Sequence, residues 1–136
     1  MKKENNKTER AWHLLDAKDK ILGRLSCEIA ILLRGKNKVS FAPNKDEGDF
    51  VVVVNAGKIK VTGRKMEQKV YEHYSGYPGG LKTRKYKDVF AKNPAWILKR
   101  AVRGMLPDNK LRKPMLSRLK VFAQEKHSYQ NKFKQE

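Results

Sequence analysis

The run Phe50-Val51-Val52-Val53-Val54 constrains the fold more than any other segment of this 136-residue chain. Consecutive β-branched residues are stiff at χ1 and favour a pleated backbone. A run without polar alternation belongs to a strand covered on both faces, as in a parallel sheet. Parallel neighbours are joined by a crossover, and the preceding segment supplies one. Trp12 to Leu15 reads as a short strand ending in a turn at Asp16-Ala17-Lys18-Asp19. Leu22, Leu25, Ile29, Leu32 and Leu33 then recur at helical spacing, with Asp19 as the expected N-cap and Gly35 as the C-terminal stop. Strand, helix, strand is a βαβ unit, whose crossover should be right-handed.

Downstream, Ile59 and Val61 alternate with Lys58 and Lys60, Thr62-Gly63-Arg64-Lys65 is a basic turn, and Val70, Tyr71 and Tyr74 lie in a short extended stretch. Ser75 to Lys87 is too rich in Gly, Pro and Lys for a regular element and reads as an exposed loop. Asn93-Pro94 supplies an N-cap and a first-turn proline. The helix it opens, over 94–106, places Ile97, Leu98, Ala101, Val102 and Met105 on one apolar face. Pro107 ends it. Leu111, Met115 and Leu119 predict a further short helix started or kinked by Pro114, and Lys120 to Ala123 a last strand. These elements make one α/β domain over 11–123, with a basic extension at 1–10 and a polar tail at 124–136.

Cys27 is the single cysteine, so no internal disulfide can form and the chain suits a reducing compartment. The longest apolar runs are far short of the roughly 20 residues that span a bilayer, and residues 1–10 lack the apolar core of a signal peptide. The expected address is the cytoplasm, with no membrane partner.

Charge is the second strong constraint. The chain carries 32 Lys plus Arg against 14 Asp plus Glu, a net +18. Residues 82–120 hold 13 basic residues against only Asp88 and Asp108, so about +11 of the excess lies there. A run of charge commonly does no more than solvate a surface, but such a surface is mixed in sign. An unbalanced one repels itself unless a polyanion neutralises it.

Catalytic and metal chemistry find little support. His13, His73 and His127 are far apart, and with one cysteine no local metal-ligand spacing exists. Gly57-Lys58 lacks the earlier glycine of a phosphate-binding loop, with Ile59 where Ser or Thr should stand. Asp46, Glu47 and Asp49 lack the spacing of a calcium loop and more simply orient a turn or pair with nearby lysines. No cofactor, metal or small-molecule substrate is expected.

RNA binding has better support. In the loop, Gly76, Tyr77, Gly79 and Gly80 precede Lys82, Arg84, Lys85 and Lys87. Glycines let a backbone approach phosphates, an aromatic ring can stack on an unpaired base, and the cations neutralise phosphodiesters. On the 94–106 helix, Lys99 and Arg103 lie one turn apart with Arg100 adjacent, opposite the apolar stripe. Lys110, Arg112, Lys113 and Arg118 extend that stripe. Arg34, Lys36 and Lys38 after the first helix, and Arg64 and Lys65 in the basic turn, complete the candidate contacts. Zipper, zinc-finger and aromatic RNP patterns are missing, so shape and backbone recognition of folded RNA fits best.

The sequence resembles the large-subunit ribosomal protein L-thirteen family of the bacterial type over about residues 11–129. The matching stretches are Leu22-Gly23-Arg24-Leu25, Leu33-Arg34-Gly35-Lys36, Gly48-Asp49-Phe50, Asn55-Ala56, Thr62-Gly63, Ser75-Gly76-Tyr77-Pro78-Gly79-Gly80-Leu81-Lys82, Ala101-Val102-Arg103-Gly104-Met105-Leu106-Pro107 and Leu119-Lys120-Val121. The resemblance implies a three-layer α/β/α domain around a small, mainly parallel sheet. It also implies binding to large-subunit (23S-type) ribosomal RNA beside neighbouring subunit proteins, with a role early in assembly. The sequence departs from the family at Arg112-Lys113-Pro114, where Gly-Arg is usual after Leu111, and at Lys126-His127-Ser128-Tyr129 near the end. A messenger-RNA-binding translational regulator and a small nucleic-acid-processing enzyme are the alternative functions, and an organellar ribosome stays open as the location.

Overall fold

The computed structural model describes residues 10–39 and 41–130. Most of the extension expected at 1–10 and the end of the tail, 131–136, lie outside the described residues. In chain order the elements are β1 (Trp12–Asp16), α1 (Leu22–Arg34), β2 (Phe50–Val54), α2 (Lys65–Gln68), β3 (Val70–Tyr74), β4 (Leu81–Lys85), α3 (Tyr86–Lys92), α4 (Pro94–Met105), α5 (Arg112–Ser117) and β5 (Leu119–Val121).

The valine run is the middle strand of a three-stranded parallel sheet ordered β1-β2-β5. Val51, Val52 and Val53 are fully buried, as continuous hydrophobicity requires of a strand covered on both faces. Val51 and Val53 join the core with Leu25, Ile29 and Leu33 of α1 and with Ile97, Leu98 and Val102 of α4. On the opposite face Trp12 stacks on its register partner Phe50, centroids 4.3 Å apart and planes 5° from parallel. Tyr129 covers Trp12 at 5.4 Å and lies 6.1 Å from Phe122. The expected single α/β domain around a small parallel sheet is present; of the helical layers expected on its two faces, α1 and α4 pack on the face of Val51 and Val53, while the Trp12, Phe50 and Tyr129 rings gather on the other.

Two local expectations change. Asp19 is not the N-cap of α1: it sits in a left-handed turn with φ 60, and Ile21 precedes the helix without a side-chain cap. The reason lies in the pairing of residues 19–22 with 58–60. Asp19 N–H donates to Lys58 O at 3.2 Å, Lys60 N–H to Lys20 O at 2.9 Å and Leu22 N–H to Lys60 O at 2.8 Å. That pairing holds the backbone extended until Leu22. At the other end Gly35 stops α1 with φ 80, its N–H on Ile31 O.

The segment 75–87 is also more ordered than its composition suggests. Leu81–Lys85 pairs antiparallel with Val70–Tyr74 at five positions, so only the tip around Gly76–Gly80 is a turn. Tyr86 anchors the ribbon. It is fully buried, its N–H donates to Lys69 O at 2.8 Å, and its ring lies 5.8 Å from Phe90 and 6.5 Å from Tyr71. The helix it opens, α3, packs on α4 and was not expected.

A buried polar cluster fastens the acidic turn between α1 and β2. Asp49 accepts from Lys38 Nζ at 2.8 Å and from Ala11 N–H at 3.1 Å, and shares a 2.8 Å hydrogen bond with His13 Nε2. Burial alone would raise this carboxyl, but the bonds from Lys38, His13 and Ala11 outweigh it and hold Asp49 below the ordinary carboxylate range. The unfolded chain therefore takes up this proton first as pH falls. Stability from Asp49 should be complete above the ordinary carboxylate value, begin to fall near it, and be lost as pH drops through the depressed one. Acid titration followed by circular dichroism checks this: Asp49→Asn should be less stable at neutral pH and show a flatter acid limb.

Candidate nucleic-acid interface

Helix α4 organises the charged surface. Asn93 caps it by accepting from Trp96 N–H at 3.3 Å, with Pro94 in the first turn. Its apolar face is consumed by the core at Ile97, Leu98 and Val102, which turns Trp96, Lys99, Arg100 and Arg103 outward. The hairpin β3–β4 lies beside this outward face. Register pairs Tyr71 with Arg84 and His73 with Lys82. Since alternate residues share a face, one side of the ribbon presents this set.

Between ribbon and helix is a cavity of about 300 Å³ lined by Tyr71, His73, Lys82, Arg84, Trp96, Arg100 and Arg103, together with Glu72. A second, of about 820 Å³, continues past Trp96 and Arg84 to Lys85, Lys87 and Lys92. Toward the other end of α4, a cavity of about 620 Å³ gathers Arg24, Lys65 and Lys69 around Ala101, Gly104 and Met105. Lys65 and Lys69 also border a shallow hollow with Arg64, and Met105 borders another with Arg34 and Lys36. Residues separated by most of the chain thus border a row of separate cavities along α4, a discontinuous furrow.

Desolvation and the nearby charge of Lys65 push the Lys69 ammonium below its ordinary range. Two cations held this close favour an anion between them. Burial, reinforced by neighbouring Tyr86, raises Tyr71, so its phenol is neutral at physiological pH.

The remaining candidates are distributed differently. Gly76, Tyr77, Gly79 and Gly80 form the hairpin tip, where Tyr77 is 75% exposed. Lys99, Lys110 and Lys113 are exposed but border none of these cavities. Lys38 is held by Asp49 and by Glu47 O, and Arg34 lies 5.4 Å over the Phe41 ring. Arg112 reaches Pro107 O, Leu106 O and Asp108. Arg118, also an expected contact, is placed differently from the others. It is 5% exposed, with both terminal nitrogens on Asp46 and one also on Leu33 O, so its guanidinium is engaged inside the fold.

The structure adds Arg24, Lys69, Lys92 and Trp96 to the furrow. Trp96 had a sequence signal, a large aromatic beside an apolar helix face already complete without it. Arg24 and Lys69 lie outside the strongly basic stretch and Lys92 stands apart from the other cations within it, so only tertiary packing brings the three in. Among the described residues no group of His, Cys, Asp and Glu is placed to hold a metal ion, and no helix is long and apolar enough to cross a membrane.

Comparison with known proteins agrees with this architecture. The family model for ribosomal protein L13 matches residues 10–128. The protein named large ribosomal subunit protein uL13 of Rubrobacter xylanophilus is 53% identical over 121 residues, 89% of this chain and 85% of the relative. That of Clostridioides difficile has the same identity and coverage, and that of Thermobifida fusca is 51% identical over 122 residues, 90% of this chain and 82% of the relative. With the family model spanning nearly the whole α/β domain and such relatives covering nine-tenths of the chain, it belongs to the ribosomal protein L13 family, in its bacterial type.

Proposed function

We propose that the chain is a non-catalytic structural constituent of the large ribosomal subunit in the cytoplasm. It binds large-subunit (23S-type) RNA, abuts neighbouring subunit proteins and supports early assembly. The observation that carries the RNA-binding reading is the convergence on cavities along α4 of cations from α1, the 64–69 segment, the hairpin, α3 and α4. Their mutual repulsion is only partly offset by Glu72 and Asp88 in the free protein, and phosphate groups entering the furrow relieve it. The rigid α4 scaffold sets the spacing of these cations, so RNA segments are held in a fixed relative arrangement rather than merely attracted.

Replacing Lys82, Arg84 and Lys85 together by Ala tests this reading. All three are exposed, so the circular-dichroism spectrum should not change. Incorporation into large subunits should fall several-fold, and the slope of log affinity against log salt should drop by about three, one for each lost phosphate contact. Normal incorporation with an unchanged slope would remove the hairpin from the interface.

A further inference from the structure

We propose that the ridge made by Trp96 and Arg84 holds one unpaired nucleotide of the bound RNA, its base stacked on the indole and its flanking phosphates in the cavities to either side. This rests on the RNA-binding reading above and adds what that reading leaves open, a single-stranded contact within an otherwise phosphate-directed surface.

Trp96 is not needed to complete the core side of α4. The core side of α4 is filled by Ile97, Leu98 and Val102, all fully buried, while Trp96 is 38% exposed. Its orientation is nonetheless fixed. The helix cap at Asn93 sets its backbone, and Tyr71 meets it at 5.0 Å with ring planes 87° apart. A rigid exposed aromatic is a stacking platform already ordered before it binds.

The cavities on its two sides share Trp96 and Arg84 as their common wall. Arg100 and Arg103 line the smaller beside Glu72, and Lys87 and Lys92 the larger beside Asp88, so in each the cations outnumber a single carboxylate. An aromatic surface between two cationic hollows matches the alternation within a nucleotide strand, base between phosphates. A duplex fits this arrangement poorly, because its base faces are stacked inside and only phosphates and groove edges would reach the ridge. An unpaired nucleotide offers its π-face, and stacking of this kind is worth roughly 5- to 150-fold in affinity per base.

The test uses the full chain and large-subunit ribosomal RNA. Trp12 and Trp96 are the two tryptophans, so Trp12→Phe makes Trp96 the single emitter and keeps a ring against Phe50. Indole fluorescence should be quenched by ribosomal RNA and by an unstructured uridine dodecamer, and not by a perfect RNA duplex of equal phosphate content. In the Trp12 background, Trp96→Leu should weaken ribosomal-RNA binding roughly 5- to 150-fold with no change in salt slope, and Trp96→Phe should restore most of it. Tight binding of ribosomal RNA without quenching, and with Trp96→Leu unaltered in affinity, overturns the nucleotide slot and leaves the RNA-binding function standing. Failure of the parent protein to bind ribosomal RNA overturns that function, and the slot with it.

Discussion

Raising the salt concentration from about 50 to about 200 mM should weaken binding to large-subunit RNA by about three to five decades, the response expected when on the order of six to ten phosphates are neutralised. The furrow supplies cations in that range, since Arg24, Lys65, Lys69, Lys82, Arg84, Lys85, Lys87, Lys92, Arg100 and Arg103 all border its cavities. Each contacted phosphate releases condensed counterions, and added salt opposes that release. Single-stranded RNA gives a shallower slope than duplex, so unpaired segments move the result toward three decades. The free protein should respond in the opposite direction. Salt screens the repulsion between neighbours such as Lys65 and Lys69, so its melting temperature should hold or rise over the interval in which the complex weakens. Filter binding and thermal melts in the same buffers check both signs, and a flat binding response excludes neutralisation as the mechanism.

The division between what was legible in the sequence and what was not follows the range of the forces involved. Periodicity reports local burial, so the valine strand, the apolar faces of α1 and α4 and the Asn93-Pro94 helix start were readable directly. Asp19 looks like a cap because its chemistry suits one. Its role was taken away by backbone pairing with residues 58–60, a contact with no signature in composition. The β4 strand escaped for a related reason. All five of its residues are exposed, so no apolar alternation marks it, and its order comes from the register with β3 and from the buried Tyr86 anchor. The candidate interface divides likewise. Charge density located the hairpin and α4, but separating a free cation from a fastened one requires knowing which carboxylates fold onto it. Asp46 and Asp49, read as orienting a turn or pairing with nearby lysines, capture Arg118 and Lys38.

Arg118→Met should lower the melting temperature by roughly 10–20 °C, the equivalent for a domain of this size of about 3–5 kcal/mol lost when one partner of a buried ion pair is removed. The Arg118 Nη1 donates to Asp46 Oδ2 at 2.7 Å, and Nη2 to Asp46 Oδ1 at 2.6 Å and Leu33 O at 2.8 Å. Leu33 O is in the last turn of α1, where carbonyls lack intrahelical partners. One guanidinium therefore joins the end of α1, the acidic turn and the start of β5. Methionine fills much of the space but leaves a carboxylate and a carbonyl without their donor. Arg118→Lys should fall between, because an ammonium cannot form the planar two-pronged pair. Gly48 gives an independent check on the same junction. A Cβ there would collide with Leu33 O and come within 2.8 Å of Arg118 Nη2, so Gly48→Ala must separate the turn from α1 and should destabilise comparably. For both variants, RNA affinity and salt slope measured well below the melting transition should match the parent. A melting temperature unchanged by Arg118→Met, together with a reduced salt slope, would return Arg118 to the interface.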